Sequence, residues 1–235
     1  TIRASMSTLF LVRHGQASFG SENYDRLSPL GIQQANHLRD HFVENAIGLH
    51  GICSGRLQRQ RSTAEILAGA AQQPVAVAIS AAFDEYDAHS LMHRYAQMTG
   101  EPVQSLQGTT GRLDPRGFQQ HLEKVSRAWA QEQVSAPNLE SWKAFRARVG
   151  RGIDDITTLT PRSQNVAVAT SAGVIGAAIA HVLGLEDFAA LQLSYVVLNS
   201  AVTRIEFDGN RRTLASFNST AHLERADRRE LLTYL

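Results

Sequence analysis

An apolar run passes directly into a polar and charged motif in the stretch Thr8-Leu9-Phe10-Leu11-Val12-Arg13-His14-Gly15-Gln16, and the fold follows from this stretch. The run over residues 8–12 predicts a strand that is buried on both faces, as in a parallel sheet covered by helices. A polar loop over residues 15–27 follows the motif. Ser28-Pro29 then supplies an N-cap and a first-turn proline, so the sequence predicts an amphipathic helix over residues 29–46.

The rest of the chain alternates short apolar runs with segments of helical periodicity. We predict strands over residues 51–54, 75–80, 166–170, 200–207 and 213–217, and helices over residues 57–71, 115–132, 140–159 and 174–183. The last two strands flank Asp208-Gly209-Asn210, which is a hairpin turn signal. This order predicts an α/β fold of the three-layer sandwich type, with a mainly parallel sheet, helices on both faces and one antiparallel strand.

The length and composition of the chain favour one domain. A chain of 235 residues fits a single domain over residues 1–235, and 43% hydrophobic residues are ample for its core. Residues 86–138 show only weak periodicity, interrupted by Gly, Gln, Arg and Pro. We interpret this segment as an insertion of helices and loops that forms a lid over the domain.

Charge and hydropathy argue against several classes of partner. With 23 basic and 22 acidic residues the net charge is +1, which gives no sign of a nucleic-acid or membrane surface. No apolar run reaches the length of a transmembrane helix, about 18 residues. The single cysteine, Cys53, excludes an internal disulfide, and we predict that it is a small buried hydrophobe. We expect a cytoplasmic protein whose natural start is Met6, since residues 1–5 lack the apolar stretch of a signal peptide.

Polar clusters follow three of the predicted strands, at residues 13–16, 54–59 and 170–173. In sheets of this type, ligands bind beyond the carboxyl ends of the strands, so we expect the three clusters to meet at one rim. The rim would hold a histidine, several arginines, hydroxyl groups and two helix N-termini. Free backbone N–H groups and guanidinium groups both favour phosphate, so the sequence predicts an anion site.

The role of His14 in such a site stays open on the residues alone. A histidine can orient a bound anion, or its neutral imidazole can attack phosphorus while the arginines neutralise the phosphoryl oxygens. An isolated Arg-His-Gly tripeptide does not distinguish the two roles.

The segment Leu11–Gln16, immediately after an N-terminal strand, resembles the signature of the histidine phosphatase superfamily, which includes the cofactor-dependent phosphoglycerate mutases. Further segments resemble that family in the family's order: residues 25–31, 54–64, 83–86 and 140–149. Together they span roughly residues 8–205 of the chain. The resemblance implies a phosphoglycerate mutase-like fold.

The resemblance also implies roles for individual residues. His14 would be the nucleophile that becomes phosphohistidine, and Arg13 and Arg59 would hold the phosphoryl oxygens. Glu85 would protonate the leaving oxygen and then activate water. No metal and no cofactor are implied, because the arginines neutralise the charge. The expected phosphate-binding residues are Arg13, Gln16, Arg59, Ser171 and Ala172.

One position departs from the family pattern. The family carries Ser-His-Gly-Gly after its fourth strand, and Ser171 occupies the position of that histidine here. The loss of a transition-state donor typically costs about 3 kcal/mol, or roughly a hundredfold in rate, so we expect reduced activity. The N–H groups of the following helix would recover part of this loss.

His89 and His93 lie four residues apart, a spacing that suits a pair of metal ligands on one helix face. The sequence offers no suitable third ligand, so we interpret both as lid residues. The alternative is that one of them folds back to replace the missing histidine.

The sequence thus favours a phosphomonoester phosphatase that acts through phosphohistidine on a small phosphorylated metabolite. A phosphoglycerate mutase is a weaker alternative, because residues 85–90 lack the Arg-His-Tyr-Gly element of those mutases. A non-catalytic phosphate-binding or interaction protein of the same fold is the other alternative. Ser171 favours it, and the intact set of Arg13, His14, Arg59 and Glu85 opposes it. The oligomeric state stays open, with a homodimer as one option.

Overall fold

The computed structural model describes residues 6–18, 24–101, 115–209, 211–224 and 226–234. The strands are β1 (Ser7–Arg13), β2 (Gly51–Ser54), β3 (Val77–Ile79), β4 (Asn165–Thr170), β5 (Val202–Asp208) and β6 (Arg211–Ser219). The helices are α1 (Pro29–Glu44), α2 (Gln58–Leu67), α3 (Ala88–Thr99), α4 (Pro115–Ala130), α5 (Trp142–Leu159), α6 (Ala172–Leu183) and α7 (Asp187–Tyr195). Short 3-10 turns cover Ala68–Ala70, Ala81–Phe83 and Ala226–Leu231.

The strands form one mixed sheet in the order β3-β2-β4-β1-β5-β6. β1, β2, β3 and β4 pair in parallel, whereas β5 is antiparallel to both of its neighbours, β1 and β6. The structure therefore confirms the predicted mainly parallel sheet with one antiparallel strand. Asn210 of the predicted hairpin turn lies outside the described residues.

Alternate side chains of β1 enter two separate hydrophobic cores. Leu9 and Leu11 pack into the cluster to which α5 and α6 contribute. Phe10 and Val12 pack into the cluster to which α1 and α2 contribute. A strand that is apolar on both faces thus lies between two helical layers, as the opening run predicts. Cys53 is 8% exposed and is a free thiol, which confirms that it is a small buried hydrophobe.

Two helices were not predicted. α3 carries only a narrow buried stripe, formed by Leu91, Met92 and Tyr95, so its periodicity is weak in the sequence. α7 follows Gly184 closely and does not show the apolar and polar faces of an amphipathic helix. The segment 86–138 therefore holds α3 in addition to the helix that its periodicity predicts over residues 115–132. Residues 102–114 of that segment, and residues 1–5 before the expected start, lie outside the described residues.

The aromatic residues of α4 and α5 join the inserted segment to the domain. Trp129 and Trp142 are buried with their ring centroids 5.2 Å apart, and both contact Phe145. Both tryptophans therefore belong to the hydrophobic core. None of the helices in the described part of the chain has the length and apolar character needed to cross a bilayer.

Candidate active site

The carboxyl ends of β1, β2 and β4 bring the three polar clusters to one rim. Arg13 is level with Thr170 in the β1–β4 pair, and the N–H of His14 donates to the carbonyl of Thr170 at 2.8 Å. A cavity of about 480 Å³ opens at this rim. Six of the seven predicted site residues line it: Arg13, His14, Arg59, Glu85, Ser171 and Ala172.

Gln16 is the predicted site residue that does not line this cavity among the described residues. Its side-chain carbonyl accepts from the hydroxyl of Ser28 at 2.9 Å, and its N–H donates to Oε1 of Gln34 at 2.8 Å. Ser28 is also the N-cap of α1, where its Oγ accepts from the N–H of Gly31. In this structure Gln16 therefore ties the loop that follows β1 to the start of α1.

Two glycines let the loop after β1 pack directly against α1. A Cβ at Gly15 would lie 2.2 Å from the carbonyl oxygen of Gly31, and a Cβ at Gly31 would lie 2.1 Å from that of Gln16. Both positions are therefore closed to any side chain. The backbone that carries His14 is fixed by this contact and by the hydrogen bond from Gly15 N to Thr63 Oγ1 at 3.2 Å.

His14 is held as a neutral imidazole. Its Nδ1 lies 2.7 Å from the carbonyl oxygen of Gly15, which can only accept, so Nδ1 carries the proton and Nε2 keeps its lone pair. Burial lowers the pKa of His14 well below its ordinary value, and the charges of Arg59 and Arg13 lower it further. The Nε of Arg59 donates to Nε2 at 3.1 Å. The lone pair of Nε2 thus accepts from Arg59, and a neutral imidazole in this tautomer has the chemistry of a nucleophile at Nε2.

Arg59 is buried, and its guanidinium is oriented by Asp25. From the sequence, Asp25 is only the first residue of the segment 25–31 that leads into α1. Nη1 of Arg59 donates to Oδ1 of Asp25 at 2.7 Å, and Oδ2 of Asp25 accepts from the backbone N–H of Gln58 at 2.8 Å. The guanidinium also lies over the ring of Tyr24, 5.3 Å from its centroid. Asp25 therefore positions the arginine rather than contacting the cavity itself.

Arg13 lines the cavity, but its guanidinium is engaged by backbone carbonyl groups. Nη1 donates to Val197 O at 2.5 Å and Nη2 donates to Tyr234 O at 2.7 Å. The buried Nε has no hydrogen-bond partner among the described residues. Burial lowers the pKa of Arg13 to about 10, so the group remains a cation at neutral pH. Arg13 adds positive charge to the cavity and also holds the chain near its last described residues.

Glu85 faces the same cavity and has the environment of a proton donor. Burial raises the pKa of its carboxyl above the ordinary value, although hydrogen bonds from Gly173 N (2.9 Å) and Tyr86 N (3.1 Å) and the two arginines lower it in part. A Cβ at Gly173 would lie 2.3 Å from Oε1 of Glu85, so a glycine is required for this approach.

The two acids beside Glu85 have structural partners. Asp84 accepts from both the backbone N–H and the Nε of Arg56 at 2.6 Å. Asp87 caps α3 by accepting from Ser90 N at 2.9 Å. Of the three acids, Glu85 is the one whose carboxyl is held by the start of α6 and lines the cavity together with His14.

Ser171 is buried at the start of α6, and its hydroxyl has a defined direction. Nε2 of Gln60 donates to Ser171 Oγ at 2.8 Å and to the carbonyl of Phe83 at 3.1 Å. Because Phe83 O can only accept, the amide of Gln60 presents its hydrogens on this side and Ser171 is the acceptor. The hydroxyl hydrogen of Ser171 is left to donate elsewhere, and Ser171 lines the cavity. Sequence reasoning did not identify Gln60.

His89 lines the cavity, but it is paired with His93 instead of with Ser171. The two Nε2 atoms lie 3.2 Å apart, so one ring donates to the other. The described residues contain no group of three or more His, Cys, Asp or Glu side chains that could hold a metal ion.

The chain is similar in fold to several solved phosphatases. It shares 20% identity with the mycobacterial glucosyl-3-phosphoglycerate phosphatase in complex with phosphate, over 92% of this chain and 99% of that one (TM-score 0.64). The alpha-ribazole phosphatase of Shigella flexneri is 20% identical over 91% of this chain and 96% of that chain (TM-score 0.60). The phosphoserine phosphatase of Entamoeba histolytica in complex with 3-phosphoglyceric acid is 21% identical over 93% and 100% (TM-score 0.58).

Two comparisons of the sequence itself give different results. A comparison with curated proteins gives no match. A comparison with family models matches the histidine phosphatase superfamily, branch 1, over residues 9–220, which include the predicted site residues and most of the sheet. Over this range the fold and the sequence motifs agree. The chain belongs to the histidine phosphatase superfamily.

Proposed function

We propose that the protein is a phosphomonoester phosphatase that acts through a phosphohistidine at Nε2 of His14 on a small phosphorylated metabolite. The observation that carries this proposal is a pair of opposite pKa shifts in one cavity: the pKa of His14 is lowered and that of Glu85 is raised. A neutral imidazole can act as a nucleophile, and a carboxyl with a raised pKa keeps its proton to a higher pH than an ordinary carboxyl does, so the two groups suit the roles of nucleophile and proton donor.

In the first step, a phosphoryl oxygen accepts the Nε–H of Arg59 and so frees Nε2 of His14. Nε2 attacks phosphorus, the bond between phosphorus and the ester oxygen breaks, and Glu85 gives its proton to the leaving oxygen. Arg59 and Arg13 balance the charge of the phosphoryl group during the transfer. Asp25 supports this step by holding the guanidinium of Arg59 in place.

In the second step, a water molecule attacks the phosphorus of the phosphohistidine. The Glu85 carboxylate takes a proton from the water, the bond between phosphorus and Nε2 breaks, and inorganic phosphate leaves. His14 returns to the neutral tautomer, because the Gly15 carbonyl keeps the proton on Nδ1. Glu85 regains the proton that it donated in the first step, so the cycle closes.

Ser171 takes the position of the family's second histidine in this proposal. Its hydroxyl hydrogen would donate to a phosphoryl oxygen, and the N-terminal end of α6, beginning at Ala172, would add partial positive charge. A neutral hydroxyl stabilises a developing negative charge less than an imidazolium does. We therefore propose that turnover is reduced, by roughly a hundredfold relative to a site with the charged donor.

A non-catalytic phosphate-binding protein is the second candidate. Ser171 favours it, because a site that only binds phosphate has no need of the charged transition-state donor that a histidine would supply. The environments of His14 and Glu85 oppose it, since binding alone needs neither a neutral nucleophile nor an acid with a raised pKa.

Hydrolysis of p-nitrophenyl phosphate from acidic to neutral pH tests the proposal. Wild-type protein should release p-nitrophenol, His14→Ala should not, and His181→Ala, which removes an exposed histidine outside the cavity, should match wild type. Labelled phosphate from the substrate should appear on His14 as an acid-labile, base-stable adduct after rapid quenching. Hydrolysis that is absent, or that survives in His14→Ala, would contradict the proposed function.

A further inference from the structure

Apolar and aromatic side chains form one part of the cavity lining, which we call the wall. Phe118 and Leu122 of α4, Leu57 before α2 and Tyr195 at the end of α7 contribute to it. The hydroxyl of Tyr195 lies 2.7 Å from Ser126 Oγ on α4. The hydroxyl of Tyr195 is thus hydrogen-bonded to α4, and its ring forms part of the apolar lining that a ligand would contact.

A further aromatic surface connects this wall to the catalytic acid. Tyr86, the residue after Glu85, lines the cavity while its ring packs at 4.8 Å from the ring of Trp129 and edge-on at 5.6 Å from that of Phe145. These contacts fix the ring in place. A leaving group that accepts the proton of Glu85 therefore meets an immobile aromatic face directly beside it.

Two acids belong to this wall. Burial would raise the pKa of Asp87, but hydrogen bonds from Ser90 outweigh that effect and keep the pKa lowered, so Asp87 is an anion. Glu123 also lines the cavity and accepts from Nε2 of Gln119 at 3.1 Å.

The basic side chains of the cavity lie elsewhere or are paired. Among the described lining residues the only arginines are Arg13 and Arg59, which belong to the phosphoryl end, and there is no lysine. The imidazole of His89 also lines the cavity, with its Nε2 engaged by His93. A carboxylate on the substrate would therefore meet two acids without an arginine or lysine beside them.

We infer that this wall is the subsite for the alcohol part of the substrate, and that it selects phosphomonoesters of uncharged, apolar or aromatic alcohols over those of hydroxy acids. The inference rests on the proposed function for the placement of the phosphoryl group at His14. Burial of a ring against Phe118, Leu122 and Tyr195 provides the attraction, and Asp87 and Glu123 provide the discrimination.

Binding of phosphonates, which cannot be hydrolysed, tests the inference independently of turnover. Calorimetry should give a dissociation constant for 2-phenylethylphosphonate at least about tenfold below that for ethylphosphonate, as expected for an apolar group in a fitted pocket. The constant for 2-carboxyethylphosphonate should be the highest of the three. Equal constants, or tightest binding of the carboxylate, would overturn the inference, whether or not the protein hydrolyses p-nitrophenyl phosphate.

Two variants test whether the side chains of this wall cause the preference for an uncharged, apolar group. Leu122→Ser should weaken binding of 2-phenylethylphosphonate several-fold and leave ethylphosphonate unchanged. Glu123→Lys should tighten 2-carboxyethylphosphonate about tenfold, because it exchanges a repulsive for an attractive charge. Glu65→Lys makes the same exchange at an exposed position of α2 outside the cavity and should change none of the three constants. A carboxylate affinity that is the same in Glu123→Lys and wild type would contradict the assignment.

Discussion

The amide of Gln60 donates to Ser171 Oγ at 2.8 Å and so determines which way that hydroxyl can donate. The second contact of the same nitrogen, with Phe83 O at 3.1 Å, prevents the amide from turning round. Gln60 comes from α2, whose first turn also supplies Arg59. A buried amide thus orients the hydroxyl that Ser171 places at the cavity.

Gln60→Glu should reverse this orientation, because a carboxylate accepts the hydrogen of Ser171 instead of donating to its oxygen. We expect kcat for p-nitrophenyl phosphate to fall roughly tenfold to a hundredfold, in the range for the loss of one transition-state donor. In the double variant Gln60→Glu/Ser171→Ala the loss should be no greater than in Ser171→Ala alone. Losses that multiply would show that Gln60 does not act through Ser171.

Ser171→His should raise kcat if the missing positive charge limits the rate. The gain should approach roughly a hundredfold, the magnitude attributed to one strong donor. Ser171→Asn, which adds a longer neutral donor, is the matched control and should give a much smaller gain. If the histidine variant binds phosphate but its kcat equals that of wild type, the missing positive charge at position 171 does not limit the rate.

Glu85→Gln should slow the hydrolysis of alkyl phosphates more than that of p-nitrophenyl phosphate. An alkoxide needs a proton in order to leave, so the rate on ethyl phosphate should fall about 10² to 10⁴-fold. p-Nitrophenolate is a stable leaving group and should lose much less in the first step. Glu65→Gln, at an exposed site, should match wild type on both substrates. The comparison is made on kcat/KM, which reports the first transfer and not the later hydrolysis of phosphohistidine, so equal losses of kcat/KM on the two substrates would exclude Glu85 as the acid.

The pH dependence of kcat/KM should show a maximum in the acidic to neutral range. The productive form of the free protein has neutral His14 and protonated Glu85. The rate therefore rises with pH through the pKa of His14, which lies below its ordinary 6.5, and falls through the pKa of Glu85, which lies above its ordinary 4.5. Glu85→Gln should remove the descending limb. A descending limb that persists in this variant would belong to another group.

Gln34→Leu should destabilise the fold, because the buried amide of Gln34 connects the loop that follows β1 with residues 231–233. Oε1 accepts from Gln16 N at 2.8 Å, and Nε2 donates to Leu231 O at 2.7 Å and Thr233 Oγ1 at 2.9 Å. Each buried group left unpaired costs about 1–3 kcal/mol, so we expect unfolding in urea to require roughly 2–4 kcal/mol less. Gln33→Leu, at the exposed neighbouring position, should change the stability little. Equal stability of the two variants would contradict this bridging role.

Much of the fold is visible in the sequence, because it depends on residues that are close together along the chain. The apolar run of β1 predicts a strand between two helical layers, and the same run brings Arg13 and His14 to its carboxyl end. The apolar spacing of α5 likewise predicts its core-facing side. α3 and α7 were missed because tertiary packing, more than their own periodicity, specifies them.

Local patterns in the sequence predict the sheet, the helical layers and the six residues that line one cavity. The state of each group in that cavity follows from the folded structure: which nitrogen of His14 carries the proton, which acid holds Arg59, which carbonyls occupy Arg13, and how Gln60 orients Ser171. Helical and strand periodicity arise from neighbours a few residues apart. The direction of a hydrogen bond and the pKa of a buried group depend on partners brought together from distant parts of the chain, and no local pattern encodes them.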